Sequence, residues 1–236
     1  MKTTVFVPLS GRGALWSGLS GFLGNLDIDK KSCQLCLLDT SNDKTFGDDV
    51  QVWLAGGQGY GWHEYHTMTV SSRKQLADLP RNRHFAEVNH VMVSIYKHAQ
   101  QTAIGEDILI IEDDMLPTPD VYRRLKQSLQ PDVFGVSVAY KVRGYDRWVL
   151  WRDLQKPCDT EPGQGVEQVQ ATGFGCLLMK TADFQSIPME WQNRRTADPA
   201  WPWGYDMEFF KRVGDTGRKV LVDWTIPCQH LDAPRK

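Results

Sequence analysis

The stretch Asp107-Ile108-Leu109-Ile110-Ile111-Glu112-Asp113-Asp114 decides how the chain is read. Four consecutive branched apolar residues predict a strand covered on both faces, as in a parallel sheet between helix layers. Three acids follow with no spacer. At a buried strand's end they repel one another, so something must compensate, and a hard divalent cation with oxygen ligands is the usual answer. The carboxyl ends of parallel strands are also where α/β sheets bind ligands. The bland alternative is a loop in which Asp114 caps the helix that follows.

Working outward, the apolar patterns predict strands over 3–9, 33–38, 64–70, 133–140, 169–179 and 219–224, the fifth interrupted by Gly173 and Gly175. Helical spacing is read over 14–26, 85–102, 121–129 and 206–213. Residues 40–43 carry loop chemistry, and 56–61 are glycine-rich. The alternation of strand and helix predicts an α/β three-layer sandwich around a mixed, mainly parallel sheet. No internal repeat or low-complexity linker divides the chain.

Composition narrows the classes. The 236 residues are 41% hydrophobic, which suits one large domain and excludes intrinsic disorder. Lys plus Arg is 27 and Asp plus Glu is 29, and the resulting net charge of −2 argues against a strongly basic nucleic-acid domain. No apolar run approaches the roughly 18 residues of a membrane span. The N-terminal residues lack a signal-peptide pattern. Five sparse cysteines read as reduced thiols, giving a cytoplasmic expectation. Cys33-x-x-Cys36 has no second pair and is read as structural. Gly11-Arg12-Gly13 is followed by Trp16 rather than the third glycine of a dinucleotide fingerprint, and no Walker A sequence occurs. A bound nucleotide would therefore have its phosphates held by a metal or by cationic side chains.

An ordered set of motifs then stands out. An apolar strand ends in Leu37-Leu38-Asp39-Thr40-Ser41-Asn42-Asp43, and a later one ends in the acidic triplet. Gly204-Tyr205-Asp206-Met207-Glu208-Phe209-Phe210-Lys211-Arg212 follows, then Gly217-Arg218-Lys219-Val220 and Cys228-Gln229-His230. From Val5 to His230 this set resembles nucleotide-sugar-dependent glycosyltransferases of the GT-A fold, close to the family 2 type. The resemblance implies one GT-A-like domain, with a nucleotide-binding half of about residues 1–115 and an acceptor-binding half of about 116–236.

The resemblance also implies roles. Asp114 matches the acid that holds Mn²⁺ or Mg²⁺ on the sugar-donor diphosphate, and His230 a histidine that completes the metal shell. Glu112, which stands where Asp is usual, and Asp113 would contact the donor, with Arg73 and Gly173. Asp39 matches the acid on the nucleotide base or ribose. Asp206 matches the catalytic base of inverting members, although many relatives carry Glu-Asp where this chain has Tyr205-Asp206. Its own surroundings support that match. Phe209, Phe210 and Val213 lie at i+3, i+4 and i+7, so Asp206 opens the apolar stripe of a helix. The helix N-terminus should favour its ionised form. A plain N-cap is the competing reading.

The resemblance gives a donor of the nucleoside diphosphate sugar class, UDP-linked in this reading. The acceptor is less legible. Trp203, from Trp201-Pro202-Trp203-Gly204, and Trp148 and Trp151 are read as acceptor-binding rings, because aromatic faces stack on sugars and on bases. The segment 141–152 interleaves basic and aromatic residues. That mixture suits a nucleic-acid backbone with stacked or flipped bases, an edge strand beside an acidic diphosphate, or a plain hairpin. A glycan or small-molecule acceptor is the first reading; the alternative is the hydroxymethylated bases of viral DNA, against which the net charge counts and which would make the chain virus-encoded and active in a host cytoplasm. Two other classes stay open. One is a non-catalytic sugar- or nucleotide-binding protein. The other is a metal-dependent phosphohydrolase, for which His63-x-x-His66 is the best second ligand cluster.

Overall fold

Every residue of β1 (Thr3–Leu9) is buried, because the strand lies inside an eight-stranded sheet with helices on both faces. The computed structural model describes residues 1–71, 73–194 and 202–231, and for residues 73 and 74 the backbone alone. After β1 come α1 (Gly13–Asn25), β2 (Cys33–Asp39), α2 (Lys44–Ala55), β3 (Trp62–Thr67), α3 (Arg73–Ala77), α4 (Arg81–Thr102) and β4 (Asp107–Ile111). The second half holds β5 (Met115–Pro117), α5 (Val121–Ser128), β6 (Val133–Val138), β7 (Leu150–Trp151), β8 (Val166–Val169), β9 (Ala171–Thr172) and β10 (Cys176–Lys180). It ends with α6 (Thr181–Ser186), α7 (Tyr205–Asp215), β11 (Lys219–Asp223) and β12 (Cys228–His230).

The sheet order is β3-β2-β1-β4-β10-β6-β11-β8. Strands β1, β2, β3, β4, β6 and β11 run one way, and β10 and β8 run against them. The mixed, mainly parallel α/β expectation is met. The chain's first half builds one side of the sheet and its second half the other, meeting where β4 pairs with β10. Strand order reverses between β1 and β4, so the crevice expected at a topological switch point opens at their carboxyl ends.

Alternation splits each strand between two cores. Val5, Val7 and Leu9 pack with Leu19, Leu23, Phe46, Val50 and Leu125 from α1, α2 and α5. Phe6 and Ile110 pack on the opposite face with Tyr96, Ala99, Phe184, Phe209 and Phe210 from α4, α6 and α7. These are the three layers.

Three sequence expectations need correction. The loop chemistry of 40–43 and the glycine-rich 56–61 predict no helix between them, yet α2 is there. Asp43 caps it, accepting from Thr45 N at 2.9 Å and Phe46 N at 3.2 Å, and Phe46, Val50 and Leu54 bury its inner face. The strand expected over 169–179 is three pieces. β8 lies at the sheet edge, β9 pairs with β7, and β10 sits in the centre. The cause lies at the glycines. A Cβ on Gly173 would come within 2.2 Å of the Tyr140 hydroxyl, and one on Gly175 within 2.7 Å of the Tyr140 ring. The chain steps aside to admit that ring, and Gly175 N donates to Tyr140 Oη at 2.9 Å. The strand expected over 64–70 starts earlier and ends at Thr67.

Phe209 is fully buried, and its ring meets those of Phe134, Phe174, Phe184 and Phe210 at centroid separations of 5.2–5.9 Å. Phe209→Ala should therefore cost about 3–5 kcal/mol. Denaturant unfolding checks this through a lowered midpoint with an unchanged slope.

Candidate functional site: an acidic cluster at the switch point

The acids after β4 each find a different partner. Glu112 Oε1 accepts from Tyr96 Oη at 2.7 Å. Asp113 Oδ2 accepts from Ser10 N and Ser10 Oγ, each at 2.7 Å, and its Oδ1 lies 3.2 Å from Arg12 Nη1. Asp114 Oδ2 meets Arg12 Nη1 and Arg143 Nη2 together, with His230 Nε2 at 3.3 Å. The expected compensation is thus supplied largely by the chain's own cations and donors. Burial still holds Glu112 above the usual carboxylate range, with Asp113 adding to it against the Tyr96 hydrogen bond.

Local structure explains how distant residues meet here. Ser10 and Arg12 follow β1, next to β4 in the sheet. Gly11 between them has φ +74°, and a Cβ there would lie 2.5 Å from Ser41 Cβ in the loop after β2. His230 is brought in by β12, which pairs antiparallel with β5 in the register His230↔Met115. Its Nδ1 lies 2.7 Å from Lys141 O, which orients Nε2 toward Asp114.

One atom of this cluster is unused. Asp114 Oδ1 is buried and has no hydrogen-bond partner among the described residues. A free carboxylate oxygen beside an imidazole is the beginning of a donor set for Mn²⁺ or Mg²⁺. Asp114 and His230 could supply two ligands to a divalent cation, and among the described residues no third carboxylate, histidine or cysteine closes that group.

Asp39 ends β2 and is buried. Its Oδ2 accepts from Tyr65 Oη at 2.6 Å and its Oδ1 from Ser41 N at 2.7 Å. It lines a cavity of about 490 Å³ with Lys44, Gly47, Gln51, Tyr65 and Thr67. Those residues of α2 and β3 were not anticipated. The missed helix hid the α2 set, whereas Asp43 and the spacing of Phe46, Val50 and Leu54 were the available signal. The sequence pattern assigns Arg12 and Arg143 no site role. Directly after a central strand, Arg12 could have been found from position alone.

Asp206 is the second residue of α7. Gly204 is the N-cap, so the plain-cap reading does not hold. Asp206 Oδ1 accepts from Met207 N at 2.8 Å. The expectation that the helix terminus favours the ionised form is outweighed. Burial pushes its carboxyl up to about 6, against backbone hydrogen bonds, and the charge of Glu112 adds to the rise. Tyr205 N donates to Asn89 Oδ1 at 2.6 Å, tying the start of α7 to α4.

The remaining expectations divide. Trp203 is 5% exposed and packs in the core under α7, so its ring is not an open face. Trp201 lies outside the described residues. Trp148 is half-buried against Trp224, at 4.8 Å between centroids, with Lys141 Nζ 5.2 Å from its ring. Trp151 in β7 is also half-buried. At Gly173 the close neighbours are Tyr140 and Val149. Arg73 opens α3, and its side chain lies outside the description. Cys33 and Cys36, three apart on one strand, point to opposite faces and cannot act as one half-site. All five cysteines are free.

No family model matches the chain, and neither does any curated protein. Solved structures match its fold. The mannosyltransferase PcManGT from Pyrobaculum calidifontis, in complex with GDP-Man and Mn²⁺, has a TM-score of 0.63 at 13% identity, over 100% of this chain and 57% of that one. GalNAc-T7 with UDP, GalNAc and Mn²⁺ gives 0.63 at 14%, over 98% of this chain and 43% of that one. S. aureus TarS 1-349 with UDP-GlcNAc gives 0.56 at 12%, over 100% and 62%. The architecture is the GT-A fold, shared with these structures. The chain spans between 43% and 62% of the length of these three proteins, and at such identities the likeness is one of fold.

The raised carboxyl of Asp206 fixes a sign. Its folded pKa of about 6 exceeds the ordinary 3.8, so between those values the folded state binds more protons than the unfolded. Its contribution favours folding below about pH 4 and is lost as pH rises through 6. Relative to Asp206→Asn, the wild type should lose on the order of 1–3 kcal/mol over that window. Unfolding curves of both proteins at pH 4 and pH 7 check it.

Proposed function

We propose that the chain is a divalent-metal-dependent glycosyltransferase. It moves a sugar from a nucleoside diphosphate sugar, UDP-linked in this reading, to an acceptor hydroxyl with inversion. The observation that carries this is Asp114: at the switch point, 3.3 Å from His230 and with a buried Oδ1 that nothing among the described residues engages. The fold's likeness to mannosyl- and GlcNAc-related transferases solved with nucleotide sugars supports it.

In this reading Asp114 and His230 hold Mn²⁺ or Mg²⁺, which when bound neutralises charge on the leaving diphosphate. Asp39, with Tyr65 fixing one oxygen, takes the ribose or base in the adjoining cavity. Asp113 keeps Ser10 and Arg12 in place, and Arg12 and Arg143 supply the further cationic surface that an anionic donor needs. Glu112 and Arg73 belong to the donor side. Asp206 accepts the proton of the acceptor hydroxyl. A carboxylate whose pKa stands near 6 is a stronger base than an ordinary aspartate and is still ionised at neutral pH.

The acceptor side is the 141–152 segment. A cavity of about 370 Å³ beside His230 is lined by Lys141, Arg143, Gly144, Tyr145 and Asp146, and Tyr145 is 69% exposed. Trp148 and Trp151 flank this loop. A glycan or small-molecule acceptor is the first reading. The basic and aromatic character of the exposed loop also favours hydroxymethylated DNA as a second. Among the described residues, no helix is long and apolar enough to cross a membrane.

A thermal-shift panel of UDP, GDP, CDP, ADP and dTDP, with and without Mn²⁺, tests the donor site. One nucleotide should raise the melting temperature only with metal, and Asp114→Ala should abolish the shift. No shift with any nucleotide would sink the donor-site reading.

Asp206→Asn should keep that donor-dependent shift and lose transfer by roughly 10²-fold or more. In the wild type, kcat/KM should rise with pH through about 6 as Asp206 ionises. Transfer assays with a glycan panel and with hydroxymethylated DNA check both statements. A wild-type rate in Asp206→Asn would remove it as the base.

A further inference from the structure

A second group of metal-ligating side chains lies away from the acidic cluster, between the edge of the sheet and α4. Strands β2 and β3 run parallel in the register Cys36↔Glu64 and Leu38↔His66. Alternation therefore sets Cys36, Glu64 and His66 on the same face, the one that α4 covers. Helix α4 brings His98 and Thr102, one turn apart, over them. Cys36 Sγ, a carboxylate oxygen of Glu64 and a ring nitrogen of His66 all lie within 4.8 Å of one another. His66 Nε2 and Glu64 Oε2 are 3.1 Å apart. The His98 ring stands 4.8 Å from the His66 ring, and its Nε2 is buried with no hydrogen-bond partner among the described residues.

We propose that Cys36, Glu64 and His66, with His98 as the fourth ligand, form a structural zinc site that clamps the edge strand β3 to β2 and α4. Tetrahedral zinc with ligands at about 2.0–2.3 Å sets neighbouring donor atoms roughly 3.3–3.8 Å apart. The donor atoms of Cys36, Glu64 and His66, all within 4.8 Å of one another, lie close to that spacing, and the His98 ring stands beside His66. One thiolate, two imidazoles and one carboxylate are zinc's own ligand types, and the sulfur disfavours Mn²⁺ and Mg²⁺. The site is thus chemically distinct from the oxygen-rich cluster at Asp114.

The surroundings orient the carboxylate ligand. Gln34 Nε2 donates to Glu64 Oε2 at 3.1 Å, and Trp62 Nε1 to Glu64 Oε1 at 2.9 Å. Cys36 is fully buried, and its contact with Thr102 Oγ1 at 3.7 Å is weak. Burial pushes the thiol up to about 11, so it is protonated in the absence of metal. Binding replaces the S–H bond with an S–Zn bond and releases that proton to solvent. The clamp has a structural task. As the last strand of the sheet, β3 is paired on one side only, while Tyr65, between Glu64 and His66, reaches the opposite face to hold Asp39.

The test is a titration of the metal-stripped full chain with Co²⁺, followed by displacement with Zn²⁺. One Co²⁺ per chain should produce tetrahedral visible bands and a thiolate-to-cobalt charge-transfer band, all erased by Zn²⁺. Zn²⁺ about 100-fold above its Kd should raise the melting temperature by roughly 5–10 °C. Cys36→Ser should remove the charge-transfer band. His66→Ala, on the partly exposed edge strand, should weaken Co²⁺ binding more than about tenfold and decides the matter if Cys36→Ser does not fold. Asp114→Ala should leave the band intact. Absence of the charge-transfer band in the wild type, its persistence in Cys36→Ser, or undiminished binding in His66→Ala overturns the proposal.

Discussion

Three carboxylates in sequence at the end of a fully buried strand cannot all be left to water, and the rest of the structure is arranged around that constraint. Burying an unpaired charge costs several kcal/mol, so each acid must meet a partner within hydrogen-bond reach. Glu112 draws on Tyr96 from α4, Asp113 on Ser10 and Arg12 after β1, and Asp114 on Arg12, Arg143 and His230. Four separate parts of the chain are thereby tied to one end of β4. The charge problem of a single tripeptide sets the shape of the crevice. Because Asp114 Oδ1 is left over, the solution stops one ligand short of complete.

Tyr140 carries the second half of the arrangement. Its ring fills the space that two missing side chains leave at Gly173 and Gly175, and it packs edge-on to His230 at 5.8 Å. The step in the chain that admits it separates β9 from β10. In the core beside it, Tyr96, Phe174 and Tyr205 pack ring on ring. Burial, with the charge of Glu112 added, is what raises the Asp206 carboxyl although it sits at a helix N-terminus. Packing and acid–base chemistry are one effect here.

The two candidate metal environments separate by ligand softness. At the switch point the donors are carboxylate oxygens with one imidazole beside guanidinium groups, in a partly open crevice. Under α4 they include a buried sulfur and two imidazoles, closed over by a helix. Hard cations suit the first and zinc the second.

Much of this was legible in the residues. The apolar run 108–111 determined a doubly covered strand, since no other placement hides four branched side chains, and β1 and β4 came out as read. The position of Asp114 at a parallel strand's carboxyl end, and of Asp206 at the head of an apolar helical stripe, followed from period and polarity alone. What sequence could not hold was proximity. Arg143 and His230 lie 29 and 116 residues from Asp114, and only the β5–β12 ribbon and the 140s loop bring them onto it. The segment 169–179 has a strand-like pattern, yet Tyr140, far off in sequence, breaks it. Trp203 has the look of an exposed ring in a polar segment, yet α7 and its neighbours bury it. Cys36, Glu64, His66 and His98 gather only because two strands and a helix cross. Local pattern determined which residues are apolar, strand-forming or charged, because those depend on neighbours a few bonds away. The tertiary structure alone decided which charges share a site and how strongly they hold their protons, because solvation and Coulomb energy depend on distance in space.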